Sequence, residues 1–480
     1  MTRWFRIFAV ALVLIANSSI AQDAGNVVGD WSGALEVGAM KLRLILHITR
    51  TDDGSLRATM DSIDQSAMGI PVDEIRFDGH TLVTVLRAIN GSYEATLDKT
   101  GRTLTGTWKQ GVNALPLVFT RTEDAASLLP KRPQEPKPPF PYDSRDVEFR
   151  NGDVTLAGTL SLPEGAGPFP AVLLISGSGP QNRDEAIMGH KPFLVLADHL
   201  ARNGIAVLRF DDRGVGKSTG SFADATTKDF ASDVEVGVAY LRTLKEIDSK
   251  HVGLIGHSEG GIVAPMVAAR SPDVNFLILM AGVGVPIEEL LREQSRLLLK
   301  SNGADEAYIA RNEAVAKRMF IIAKTEKDAM VRKDRLQEFS QSVIDSVAAT
   351  GSPLPEDVKA ALQGGVEMLA TPWMSYLLSY DPAATLRRVR VPVLAINGEL
   401  DLQVSPSQNL PTIKAALESG GNRDVTTLEL PKLNHLFQTA TTGNPAEYSI
   451  IEETISPVAL NVIADWIVAR TAPKKSEKKN

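Results

Sequence analysis

Cysteine is absent from all 480 residues, so the chain can form no disulfide, no thiolate metal site and no cysteine nucleophile. Histidine is scarce, at seven, and no H-E-x-x-H or other close ligand cluster occurs, which argues against metal catalysis and predicts no cofactor. Positive charge is in deficit: 51 Lys and Arg stand against 58 Asp and Glu, a net charge of −7. A nucleic-acid partner is therefore not expected, since phosphate binding needs a basic surface. Long apolar runs are also missing near the start, where Ile7 to Ala16 spans about ten residues. A bilayer span needs roughly 20.

That short run has a flanking pattern of its own. Arg3 and Arg6 precede it, and Asn17-Ser18-Ser19-Ile20-Ala21 follows, with small residues at the −3 and −1 positions of a cut after Ala21. Residues 1–21 read as a secretory signal peptide, which predicts a periplasmic or secreted protein with no stable membrane span after cleavage. No cysteine follows the run, so lipid attachment there is excluded.

A length of 480 residues exceeds a typical single core and predicts two or three domains. Residues 22–122 read as all-β. Lys41 to Ile48 largely alternates with period two, and turn signals recur at Asp52-Asp53-Gly54, Phe77-Asp78-Gly79, Asn90-Gly91 and Lys99-Thr100-Gly101. A small barrel or sandwich is expected, with Trp31 and Trp108 in its core. Residues 123–143 are rich in proline and charge and read as a semi-rigid linker.

From 144 the rhythm changes to strands alternating with helices. Ala171 to Ile175, Ile205 to Phe210, Val252 to Ile255, Phe276 to Met280 and Val393 to Ile396 are apolar runs of the kind buried on both faces of a parallel sheet. Phe230, Val234, Val238, Leu241 and Leu244 are spaced by three and four, as on one helix face. The fold class is therefore α/β, a mostly parallel sheet with helices on both sides, over residues 144–471. Residues 284–384 break the rhythm with a charge-rich helical pattern, expected as a lid insertion. A basic tail at 472–480 closes the chain.

Leu254-Ile255-Gly256-His257-Ser258-Glu259-Gly260-Gly261 carries the chemistry. A buried strand runs into G-x-S-x-G and then a helix, the nucleophile elbow, whose strained serine leaves room only for glycine two positions away on either side. A serine nucleophile needs a base, and the base an orienting acid, here sought in the order Ser, Asp/Glu, His just beyond strand ends. Gly398-Glu399-Leu400-Asp401 follows one strand, and Leu433-Asn434-His435 another. Asp401 is preferred over Glu399 because it sits further along the loop. Of the seven histidines, His435 and His257 are the two whose surroundings suggest a role. The oxyanion donors are expected to be the backbone N–H of Glu259 and that of Ser178 in the loop Ser176-Gly177-Ser178-Gly179-Pro180, with Gly177 the alternative. Gly214-Val215-Gly216-Lys217-Ser218 has the wrong spacing for a phosphate loop and reads as structural, with Arg213 paired.

Taken together, the elbow, the Asp211-Asp212-Arg213-Gly214 loop and the Asp401 and His435 loops resemble the α/β-hydrolase superfamily. With Ser176-Gly177-Ser178-Gly179-Pro180-Gln181-Asn182-Arg183-Asp184-Glu185 and the N-terminal β domain, the chain is similar to a bacterial carboxylesterase family. The resemblance implies Ser258, Asp401 and His435 as a triad acting on a small-molecule ester through an acyl-enzyme. Ser176 departs from the histidine that many hydrolases place before glycine in this loop. A peptidase or thioesterase on the same fold, and a non-catalytic binding protein, are the alternatives. In the lid, Trp373 and Tyr376, with Tyr380 and Phe320, are candidates to line an acyl pocket.

Overall fold

The computed structural model describes residues 27–472 apart from 38, 39, 66, 112 and 352; the leader read at 1–21 and the tail from 473 lie outside the described residues. The chain divides into two units between Lys131 and Arg132.

The first unit is built from β1 (Gly29–Val37), β2 (Met40–Arg50), β3 (Leu56–Ser62), β4 (Ala67–Pro71), β5 (Glu74–Phe77), β6 (Thr81–Leu86), β7 (Gly91–Leu97), β8 (Thr103–Gln110) and β9 (Asn113–Thr122). They form one sheet in the order β4-β3-β2-β1-β9-β8-β7-β6-β5, antiparallel throughout. The chain steps from one edge of this sheet to the other at Val72 and Asp73. Their N–H groups bond Ala58 O at 3.1 Å and Val85 O at 2.8 Å, so this short crossing continues the β3 ladder at Val72 and the β6 ladder at Asp73. Period-two patterning sets the register: in β7 Tyr93, Ala95 and Leu97 face inward while Glu94 and Thr96 face out. Trp31 and Trp108 both lie in this core, the Trp31 indole donating to Val27 O at 2.9 Å.

The second unit opens with the hairpin β10 (Tyr142–Asn151) and β11 (Val154–Pro163), then β12 (Phe169–Ile175), α1 (Pro192–Arg202), β13 (Ala206–Phe210), α2 (Thr227–Thr243), β14 (Ile247–His257), α3 (Gly260–Ala268) and β15 (Phe276–Met280). Six helices follow: α4 (Ile287–Ser301), α5 (Glu306–Thr325), α6 (Ala329–Ala348), α7 (Glu356–Ala370), α8 (Pro372–Ser379) and α9 (Pro382–Leu386). The sheet resumes with β16 (Val393–Gly398), α10 (Pro406–Ser419) and β17 (Val425–Leu430), and α11 (Pro457–Thr471) closes the described chain. Strand order is β10-β11-β13-β12-β14-β15-β16-β17. β11 runs antiparallel to both neighbours and every later pair is parallel. Burial on both faces explains why β13, β15 and β16 are buried along their whole length, where a half-exposed strand would alternate. A capping box between Thr226 and Asp229 starts α2.

The proline-rich stretch is itself partly structured. Asp124 caps a 3-10 turn over Ala125–Leu128. Beyond it, Arg132 donates to Ile451 O (2.9 Å) and Ser449 O (2.8 Å), and Gln134 donates to Ile455 O (2.7 Å), so the chain enters the second unit already bonded to it.

Candidate active site

Because β14 is parallel and central, its C-terminal end delivers His257 and Ser258 to the sheet edge where α/β folds collect their ligands. Ser258 has φ 53°, a left-handed conformation that a non-glycine residue adopts only under local constraint. The constraint is visible on both sides: a Cβ at Gly256 would sit 2.0 Å from Gly260 O, and one at Gly260 2.2 Å from Ile175 O. The Ser258 N–H donates to Met280 O at 2.9 Å, which pins the turn to β15.

β16 and β17 bring the acid and the imidazole together. His435 Nδ1 lies 2.8 Å from Asp401 Oδ2, and both residues are buried. The other Asp401 oxygen accepts the N–H groups of Gln403 and Val404, each at 2.8 Å, so the carboxylate is held from two directions. Glu399 is turned elsewhere: its carboxylate accepts Lys432 N–H at 2.8 Å and braces the histidine loop. The close approach of the two loops requires Gly398, where a Cβ would lie 2.2 Å from Leu433 O.

The loop Ser176 to Pro180 abuts the elbow, since a Cβ at Gly177 would stand 3.2 Å from Ser258 Cβ. Gly177 N–H is already committed to Glu185 Oε1 at 2.7 Å. Among the described residues, no protein acceptor takes the backbone N–H of Ser178 or of Glu259. Both donors can therefore turn to a substrate oxygen without breaking an existing bond.

Four more acidic or imidazole side chains around this constellation make contacts that have no short-range signature in the sequence. The Glu259 carboxylate accepts the Trp373 indole at 2.8 Å, the Thr227 hydroxyl at 2.7 Å and the Ser178 hydroxyl; burial raises its pKa against these three bonds. Asp212 accepts Ser176 Oγ at 3.1 Å and Gln181 N at 3.0 Å. Burial pushes its carboxyl up to about 7, with the charges of Glu259 and Glu185 adding to that and the two bonds opposing it. His257 and Glu185 pair at 2.9 Å. Glu259 in the elbow, Asp212 and Asp184-Glu185 in loops that carry the family resemblance, and His257 beside the serine were all marked by position, but the partners of their side chains were not.

The helical insertion places its aromatics unevenly. Trp373 reaches the site and bonds Glu259. Tyr376 stacks on Tyr380 with centroids 6.0 Å apart, Tyr380 bonds Thr385, and Phe320 is buried in the core. Arg213 is paired with Asp233 at 2.7 Å, and Gly214 and Gly216 both have positive φ, so the glycine-rich loop after β13 is braced by protein groups. Among the described residues no group of three or more His, Asp or Glu is arranged to hold a metal ion.

A family model described as serine aminopeptidase, S33, matches residues 191–347, a span that includes Ser258 and stops before Asp401 and His435. The chain is 27% identical over 331 residues to esterase EstD of Thermotoga maritima, covering 69% of this chain and 68% of that one. It is 26% identical over 175 residues to esterase FrsA of an Enterobacter species, covering 36% of this chain and 39% of that relative. The solved structure of the Pyrococcus furiosus esterase PF2001 superposes with a TM-score of 0.42 at 18% identity, over 68% of this chain and 91% of that one. By its sheet order and its strand–turn–helix at Ser258 the second unit has the α/β-hydrolase fold, and over the spans given the chain is similar to these esterases and to the S33 family model.

Proposed function

We propose that the chain is an exported serine carboxylesterase that hydrolyses small esters of short acyl chain through an acyl-enzyme, with Ser258, His435 and Asp401 as its triad. The observation that carries this reading is the buried 2.8 Å contact of His435 Nδ1 with Asp401, at strand ends adjoining the left-handed Ser258. Asp401 accepts a hydrogen bond from Nδ1–H, which leaves the Nε2 lone pair free to take the serine proton. Ser258 Oγ then attacks the ester carbonyl, and the oxygen that becomes negative is met by the Ser178 and Glu259 N–H groups. His435 returns the proton to the leaving alcohol, and water repeats the sequence on the acyl-enzyme. The relationship to two esterases supports an ester substrate. The signal pattern at 1–21 supports export to the periplasm or beyond.

Turnover of p-nitrophenyl butyrate by the purified protein, lost in Ser258→Ala, is the expected result. Wild-type rates in that variant would overturn the proposal. A peptidase is the second reading, favoured by the description of the family model over 191–347. An aminoacyl amide panel that is turned over faster than the matched esters would select it.

A further inference from the structure

Behind the proposed triad lies a second buried acid–imidazole pair. His257 Nδ1 is 2.9 Å from Glu185 Oε1, and His257 Nε2 is 3.0 Å from the backbone oxygen of His435. With Glu185 as a carboxylate both neighbours are acceptors, and an imidazole that satisfies both carries a proton on each nitrogen. The same Glu185 oxygen also receives Gly177 N–H at 2.7 Å. Glu185 is 4% exposed and His257 6%, so their attraction is little screened. Glu185 itself sits at φ 50°, a conformation costly for a glutamate unless its side chain is needed where that backbone sends it. Asp184 beside it is anchored by Arg209.

Three loops meet at this pair. Glu185 holds Gly177, the residue before the proposed donor Ser178; His257 precedes Ser258; and the His435 carbonyl belongs to the base. We propose that Glu185 and His257 form a buried ion pair that acts as a positioning unit, tying the oxyanion loop and the histidine loop to the elbow so that donor, nucleophile and base share one geometry. The inference rests on Ser258 being the nucleophile. A misplacement near 1 Å costs on the order of 100-fold in rate, so a pair of this kind acts on kcat while touching no substrate. The groups facing His257 are Glu185, His435 with ring centroids 4.8 Å apart, and Asp401; Phe437 adds an apolar edge.

The test uses the full-length protein and the variants Glu185→Ala, Glu185→Gln and His257→Gln, with sites counted by fluorophosphonate titration run to completion. Glu185→Ala and His257→Gln are expected to lose on the order of 100-fold in kcat per titratable site with KM within a few-fold. Glu185→Gln, which keeps an acceptor for Gly177, is expected to recover most of that loss and to flatten the alkaline side of the pH profile. A merely structural pair would lower the melting temperature and leave kcat per titratable site at the wild-type value, which would overturn the proposal. An activity-independent readout is the 15N spectrum of the His257 ring. Protonated-type shifts on both nitrogens at pH 7, retained in Ser258→Ala, are expected, and a neutral ring would overturn the pair. Failure of wild-type Ser258 to label would instead overturn the reading of the reaction, so the two failures are read separately.

Discussion

The indole N–H of Trp373 donates to Oε1 of Glu259 at 2.8 Å, so a helix of the insertion is bonded to the residue that follows the proposed nucleophile. Glu259 thus has two separate faces. Its backbone N–H is the proposed oxyanion donor, and its carboxylate binds Trp373, Thr227 and Ser178. Trp373→Phe keeps the ring and deletes the donor. It is expected to cost about 1–2 kcal/mol of stability and to shift acyl-chain preference by roughly tenfold. The urea midpoint and kcat/KM across a series of p-nitrophenyl esters check both.

Asp401 and Glu399 lie two residues apart in one loop, and only Asp401 meets His435. Asp401→Asn is expected to lower kcat about 10⁴-fold by presenting the wrong histidine tautomer. Glu399→Gln, which keeps an oxygen for Lys432 N–H, should stay within about threefold of wild type. Steady-state kinetics of the two variants separate the roles.

The raised pKa of Asp212 makes a statement about stability. Folded Asp212 holds its proton up to about 7, whereas the unfolded carboxyl releases it near 3.8. The folded state is therefore favoured below that lower value, and the advantage is lost as pH rises from about 4 to about 7. Asp212→Asn cannot ionise, so it should match wild type at pH 4 and exceed it at pH 8 by on the order of 4 kcal/mol. Urea unfolding of both proteins across that range reads the difference.

The elbow glycine and a surface glycine predict opposite signs. Gly256→Ala would drive a methyl to 2.0 Å from Gly260 O, backbone that cannot yield, and should cost more than about 4 kcal/mol or prevent folding. Gly364, within α7, has nothing within 4 Å of its would-be Cβ. Gly364→Ala is expected to add about 0.5–1 kcal/mol, because alanine gives up less backbone freedom in a helix. Thermal melts of the two variants give the comparison.

What could be read in advance follows the range of the interactions. Ser258 and Asp401 each sit just beyond an apolar strand and His435 beyond the half-exposed β17, so strand ends and chain order point to them. The period of β7 and the double-sided burial of β13, β15 and β16 are likewise properties of neighbouring residues. Pairs joined across the fold leave no such trace. Glu185 and His257 are 72 positions apart, and Glu259 and Trp373 are 114 apart. A helical aromatic also reads the same whether it packs inside the insertion, as Phe320 does, or reaches a carboxylate, as Trp373 does. The strap from Arg132 to the carbonyls at 449 and 451 was hidden for a similar reason, since prolines and charges around it suggest an extended chain whatever the arginine bonds.

The most direct test of the account is where a fluorophosphonate attaches. The account predicts a single covalent adduct on Ser258, found by peptide mass mapping, slowed in Asp401→Asn and absent from Ser258→Ala. An intact protein that takes no label, or takes it on another residue with Ser258 unmodified, would contradict it.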